Sequence, residues 1–200
     1  MGISKTPSFI VEVPLRVTEK DGKQARSRLE AARQVRNACL GEALKRLKAM
    51  RGSVEYQTAK ALPKGKGRID TFKAVRKQYG FSEASLHSYA KQFGKSWIGH
   101  HLDSQAIQAQ ASIAFKSANR YALGKGGRPR FKSKGQLDSV EGKSNVTGIM
   151  WKADHIEWKG LVLAGVIDPK DEVLAYGLSC RVKYVRLVRR KLNKTERYFA

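Results

Sequence analysis

The chain has 200 residues, forty Lys and Arg against seventeen Asp and Glu, and a formal net charge of +23, where about 2–8 suffices to keep a small domain soluble. Self-repulsion of that size opposes compaction unless a polyanion offsets it, and the line of phosphates in nucleic acid is the partner it points to. No apolar run approaches the roughly 20 residues of a membrane span, no C-x-x-C pair involves Cys39 or Cys180, and the opening Met-Gly-Ile-Ser-Lys-Thr lacks the apolar core of a leader, so the sequence predicts a cytoplasmic protein with reduced thiols, no membrane partner and no zinc ribbon of its own.

Phe9, Val11, Val13, Leu15 and Val17 alternate with Ile10, Glu12, Pro14 and Arg16, which predicts a half-buried strand over residues 9–17. Pro14 cannot donate a ladder hydrogen bond and places that strand at an edge or bulge. Glu19-Lys-Asp-Gly22 reads as its closing turn. Over 24–50 the period becomes helical: Leu29, Ala32, Val35, Leu40, Ala43, Leu47 and Met50 form one face, and Arg26, Arg28, Arg33, Arg36, Lys45, Arg46 and Lys48 form a solvated opposite face. Residues 62–67, rich in Gly, Pro and Lys, read as a loop. A second helical block covers about 69–121, interrupted at Gly80 and Gly94. Within it Ser82 caps a short helix, and a longer helix from Lys95 presents Trp97, Leu102, Ala106, Ala109 and Ile113 on one face.

After Gly124-Lys-Gly-Gly127, strands are expected over 145–151, 155–159, 181–192 and 196–199, with Lys152-Ala-Asp154 and residues 192–195 as turns. A strand, a long helical insert and further strands define an α+β chain rather than an alternating parallel sheet. The boundaries are 1–22 and 125–200 for the β-domain and 23–124 for the helical one. The last strand is short, which suggests that the chain is part of a longer protein and that residues 185–188 border an unpaired edge. Among the late aromatics Trp158 reads as core, and Tyr184 stays open between core and base stacking.

Basic residues concentrate in two places. Residues 120–134 hold six and no acid, and residues 181–197 hold eight against Glu196 alone. The candidate phosphate contacts are Arg128, Arg130, Lys132, Lys134, Arg181, Lys183, Arg186, Arg189 and Arg190. In residues 181–190 the cations Arg181, Lys183 and Arg189 share a parity with Val185 and Leu187, so either a bulge near Val185 realigns the face or both faces are mixed.

Gly127-Arg-Pro-Arg-Phe-Lys-Ser-Lys-Gly135, followed by Ser139-Val-Glu-Gly-Lys-Ser-Asn145, resembles the junction found in the N-terminal half of the TnpB (OrfB) family of transposon-encoded, RNA-guided DNA nucleases, relatives of type V CRISPR effectors. Ala31-Ala-Arg-Gln-Val-Arg-Asn-Ala-Cys-Leu40 is similar to that family's first recognition helix, and Val182-Lys-Tyr-Val-Arg-Leu-Val-Arg-Arg190 to a late strand of its wedge domain. The resemblance implies a β-barrel-like wedge domain interrupted by a helical recognition domain. It also implies a guide RNA and a target DNA as partners, base pairing supplying the sequence specificity. The family's RuvC-like catalytic domain, with its divalent metals and zinc element, has no counterpart in these 200 residues. Mg and Zn would therefore belong to a missing C-terminal part, and this chain is expected to carry no cofactor, no catalytic residue and no small-molecule substrate.

Other chemistry is weakly supported. Asp168, Asp171 and Glu172 read as a surface loop, since a hard-cation site needs several gathered oxygens. His100 and His101 are adjacent, so a helix would point them about 100° apart and away from a shared metal. A complete small nuclease lacks a carboxylate centre to run it, and the remaining alternative is a basic structural RNA-binding protein of ribosomal type.

Overall fold

A computed structural model describes residues 8–193 and 195–200; the opening hexapeptide and position 194, within the turn expected over 192–195, lie outside the described residues. The chain is mixed α and β. It divides into a β-rich unit, residues 138–200 with those up to 25, and a helical unit of residues 26–137.

The expected nine-residue strand shrinks to β1 (Pro14–Leu15), which lies at a sheet edge as Pro14 requires. The expected closing turn is instead the start of α1 (Glu19–Arg51). Thr18 Oγ1 accepts from the Asp21 amide at 3.2 Å while Asp21 Oδ2 accepts from the Thr18 amide at 3.2 Å. This reciprocal capping box satisfies two orphan donors and draws Gly22 into the first turn, despite a helix penalty of about 1 kcal/mol for glycine.

Within the helical unit the apolar face read from α1 is buried throughout, from Leu29 to Met50. Its polar face is not uniformly solvated: Arg28 is only 5 % exposed, and burial lowers its pKa while the nearby Asp103 carboxylate opposes that shift. Beyond α1 come α2 (Val54–Ala61), which the periodicity does not reveal, α3 (Lys66–Gln78), α4 (Glu83–Ala90) and, after a 3-10 turn, α5 (Ile98–His101). Ser53 and Ser82 cap α2 and α4, each accepting from the amide three residues on. The last helix of the unit, α6 (Ser104–Ala122), starts nine residues later than expected. Asp103 caps it, accepting from Gln105 and Ala106 at 2.8 and 2.9 Å. Upstream the chain folds back so tightly that a Cβ on Gly99 would lie 2.2 Å from the Gly94 carbonyl oxygen. Trp97 sits on that turn, half exposed, and not on the inner face.

The β-rich unit holds β2 (Ser139–Glu141), β3 (Met150–Lys152), β4 (His155–Trp158), β5 (Leu161–Ala164), α7 (Glu172–Ser179), β6 (Arg186–Leu192) and β7 (Thr195–Phe199). One antiparallel sheet has the order β1-β7-β6-β2, and a second is the meander β3-β4-β5. The strand expected over 145–151 forms only at its end. Asn145 instead closes a loop with its side chain, accepting from the Trp151 amide at 2.7 Å and donating to the Trp151 carbonyl at 3.1 Å. Trp151, Trp158, Ile156 and Leu163 are core. The strand expected over 181–192 begins only at Arg186, and of the edge expected at 185–188 the β2 side is covered while pairing with β7 starts only at Val188. Val140 faces Leu187 on one side of β6, Tyr198 faces Arg189 on the other, and the carbonyls of Lys183 and Val185 accept from Asn145 and Gly142.

Two features of the helical core have measurable consequences. Gln110 is fully buried, and neither its amide nitrogen nor its oxygen finds a partner. An unmade hydrogen bond of this kind costs about 1–3 kcal/mol. Gln110→Met, nearly isosteric, should raise stability by about 1 kcal/mol, read as an upward shift in thermal midpoint; an unchanged or lower midpoint would contradict it. Cys39 is also fully buried, and desolvation pushes its thiol up to about 12. In native protein at pH 8 a thiol reagent should therefore label Cys180 and spare Cys39, both reacting once the chain is denatured.

Candidate nucleic-acid interface

Residues 128–133 form no helix or strand, yet their backbone is anchored. Asn37, on α1, grips Lys132 from both directions: its side-chain oxygen accepts from the Lys132 amide at 3.0 Å, and its side-chain nitrogen donates to the Lys132 carbonyl at 2.8 Å. Arg33, one turn earlier, donates to the same carbonyl at 2.8 Å. Further along α1, the Phe131 ring lies against Gly41, and Arg51 donates to the Ala122 carbonyl at 3.2 Å. Positions 33, 37, 41, 44, 48 and 51 recur at three and four and so share one face of the helix. The segment from Tyr121 to Lys132 thus runs antiparallel to α1 along that face.

This arrangement gathers charge. Arg128 and Arg130 are exposed and Lys132 is half-buried; their side chains meet no carboxylate among the described residues. Lys134 is close enough to Glu30 to help stabilise its anion, but the Arg33 hydrogen bonds at 2.6 and 2.9 Å are what chiefly hold Glu30 below the usual carboxylate range. Lys45 and Lys48 are exposed on the same face of α1. The helical period assigns these two lysines to a solvated face and gives Arg51 no role, because nothing in it reveals that a segment eighty residues away returns to lie beside them.

The second set belongs to the β-rich unit and divides into exposed and buried members. Arg181 and Lys183 are exposed. Arg186 is exposed but donates to Glu141 at 2.6 Å. Arg190 donates to Glu12 at 2.7 Å and stacks over the Phe199 ring at 4.7 Å. Arg189 requires a correction. No bulge realigns the face, so Arg189 follows Val185 and Leu187 inward and is 5 % exposed. Its guanidinium reaches Asp138 at 2.6 Å and Glu196 at 3.3 Å, which makes it an internal ion-pair centre and removes it from the phosphate contacts. Tyr184 is 47 % exposed, so it is not core.

The remaining polar clusters have local tasks. Asp171 caps α7, accepting from the Leu174 amide at 2.9 Å, and Asp168 accepts from Lys170 at 2.9 Å; the acidic cluster read as a loop is half cap and half loop. His101 packs edge-on against Trp97. His87 Nε2 meets Ser112 Oγ at 2.8 Å and Glu83 at 3.8 Å, and because both partners approach the same nitrogen, this trio lacks the base-and-orienter geometry of a nucleophile relay. Among the described residues no group of three or more His, Cys, Asp or Glu is placed to hold a metal, and no helix is long and apolar enough to cross a membrane.

No protein-family model matches the chain, and no curated protein matches its sequence.

Charge location and charge burial predict opposite phenotypes. Arg189→Gln should lower stability by about 1.5–3 kcal/mol, the range for losing hydrogen bonds to charged groups, and leave the salt dependence of nucleic-acid binding unchanged. Arg128→Gln should do the reverse. Thermal melts paired with binding isotherms over a salt series separate the two.

Proposed function

We propose that this chain is the guide-RNA- and target-DNA-binding part of a TnpB-type RNA-guided DNA nuclease, with its β-rich unit as the wedge domain and its helical unit as the recognition domain. The observation that carries this reading is the cationic strip on α1 and the segment beside it. Among the described residues Arg128, Arg130 and Lys132 meet no carboxylate, and Asn37 and Arg33 fix the backbone of the segment at Lys132. A fixed row of arginines and lysines suits the phosphates of an A-form-like heteroduplex, where arginine can bind bidentately and lysine as a point charge. The exposed Arg181 and Lys183 offer further contacts in the β-rich unit, and Arg186 and Arg190 can contribute only by sharing themselves with Glu141 and Glu12. The chemistry of cutting has no part in what these residues do: they neutralise backbone charge and leave sequence to base pairing.

The test is a binding series against an RNA–DNA heteroduplex and a folded RNA of matched length. Log K should fall linearly with log[salt]. Converting Arg128, Arg130 and Lys132 together to Gln should flatten the slope by about 0.9 per lost contact on duplex, with the thermal midpoint unchanged. An unchanged slope would remove the strip from the interface. Tight binding of folded RNA with no binding of heteroduplex would favour a structural RNA-binding protein instead.

A further inference from the structure

Where the returning segment meets the C-terminal half of α1, the helical unit has an open groove of about 480 Å³. Lys45, Lys48, Arg51 and Arg128 supply its charge, Tyr121 and Phe131 its aromatic surface, and no Asp or Glu lines it. That volume lies within the range of small-ligand sites and suits a nucleotide, not a double helix. Two of its walls are preset. Arg51 is held over the Tyr121 ring at 5.0 Å and tied to the Ala122 carbonyl, and the Phe131 ring lies beside Gly41 of α1. Yet Phe131 remains 54 % exposed.

A single exposed phenylalanine is unremarkable on a protein surface. One that faces a groove with four cations and no acid is a different object. An apolar partner gains nothing from the cations, and an inorganic anion gains nothing from the ring. A nucleotide uses both, because its base offers a π-face and its backbone a phosphate.

We propose that this groove seats one unstacked nucleotide of a single-stranded nucleic acid, its base on the open face of Phe131 and its flanking phosphates on Lys45, Lys48 and Arg128. The inference rests on the reading of the chain as a nucleic-acid-binding protein and adds to it a preference for an unpaired strand at a defined place. RNA and DNA share the required chemistry, and stacking is sequence-tolerant because every base has a π-face.

The experiment measures fluorescence anisotropy of labelled oligo-dT, oligo-rU and a hairpin duplex of equal charge with the whole chain. Phe131→Ala should weaken both single strands by about five- to 150-fold and leave the duplex unaffected, without altering the salt slope. Phe131→Trp should restore binding. Lys45→Gln with Lys48→Gln should flatten the single-strand slope by about 0.7 per lysine. If Phe131→Ala disturbs the thermal melt, Phe131→Leu, which keeps the bulk and lacks the π-face, must show the same selective loss. Equal losses for single strand and duplex, or none, would overturn the groove while leaving the wider nucleic-acid reading standing. A wild-type chain that binds none of the three probes or the heteroduplex would overturn both.

Discussion

Scarcity of carboxylates governs this molecule. Seventeen acids cannot balance forty Lys and Arg, and many of the acids serve the fold directly. Asp21, Asp103 and Asp171 satisfy amides at the starts of helices. Asp138 and Glu196 neutralise the buried Arg189, Glu30 holds Arg33, and Glu42 holds Arg46 at 2.8 Å. Exposed pairs such as Arg186 with Glu141 are worth at most about 1 kcal/mol each, so their larger effect is on the surface field. Each acid placed to secure a backbone or a core leaves another stretch of surface positive. The long basic strip along α1 is the result.

Two kinds of anchoring make that strip more than a charged tail. The two-way grip of Asn37 on Lys132 uses a side-chain amide as if it were a strand neighbour, fixing one residue of an irregular segment by its own backbone donor and acceptor. Arg33 adds a charge-assisted hydrogen bond to the same carbonyl. Preset backbone lowers the ordering cost when a ligand is bound. A flexible basic tail would hold the same number of charges but lose more entropy on binding.

The helices are legible wherever the apolar period is strong and a capping residue is of the usual kind. The buried face of α1 and the Ser82 cap are both plain in the sequence. The start of α1 is not, because a Lys-Asp-Gly run carries turn chemistry and only the hydrogen bonds between Thr18 and Asp21 decide for helix. Periodicity draws the helix from Lys95 too long because an alanine-rich pattern cannot reveal the close approach of Gly99 to Gly94. β5 and α7 escape a reading of pattern alone because each is short, four and eight residues. The burial of Arg189 is implicit in its parity with Val185 and Leu187; what the sequence cannot supply is Asp138, fifty-one residues away, to neutralise it. The groove on α1 is invisible for the same reason, since its walls come from positions some eighty residues apart.

The place of β7 in its sheet has a consequence for how the chain is made. β7 lies between β1 and β6, pairing Pro14 with Phe199 and Val188 with that same residue. Before residues 195–199 leave the ribosome, β1 has no strand beside it in this sheet, and the bridge between Leu15 and Gly165 joins it to the chain made by then. The helical unit, by contrast, is one continuous run from residue 26 to 137. Domains fold as units during synthesis and contacts between distant residues form slowly. The helical unit can therefore be complete, with its cationic strip assembled, while the β-rich unit still waits for its last strand. For that interval the nascent chain already carries its polycationic surface while the β-rich unit is still incomplete.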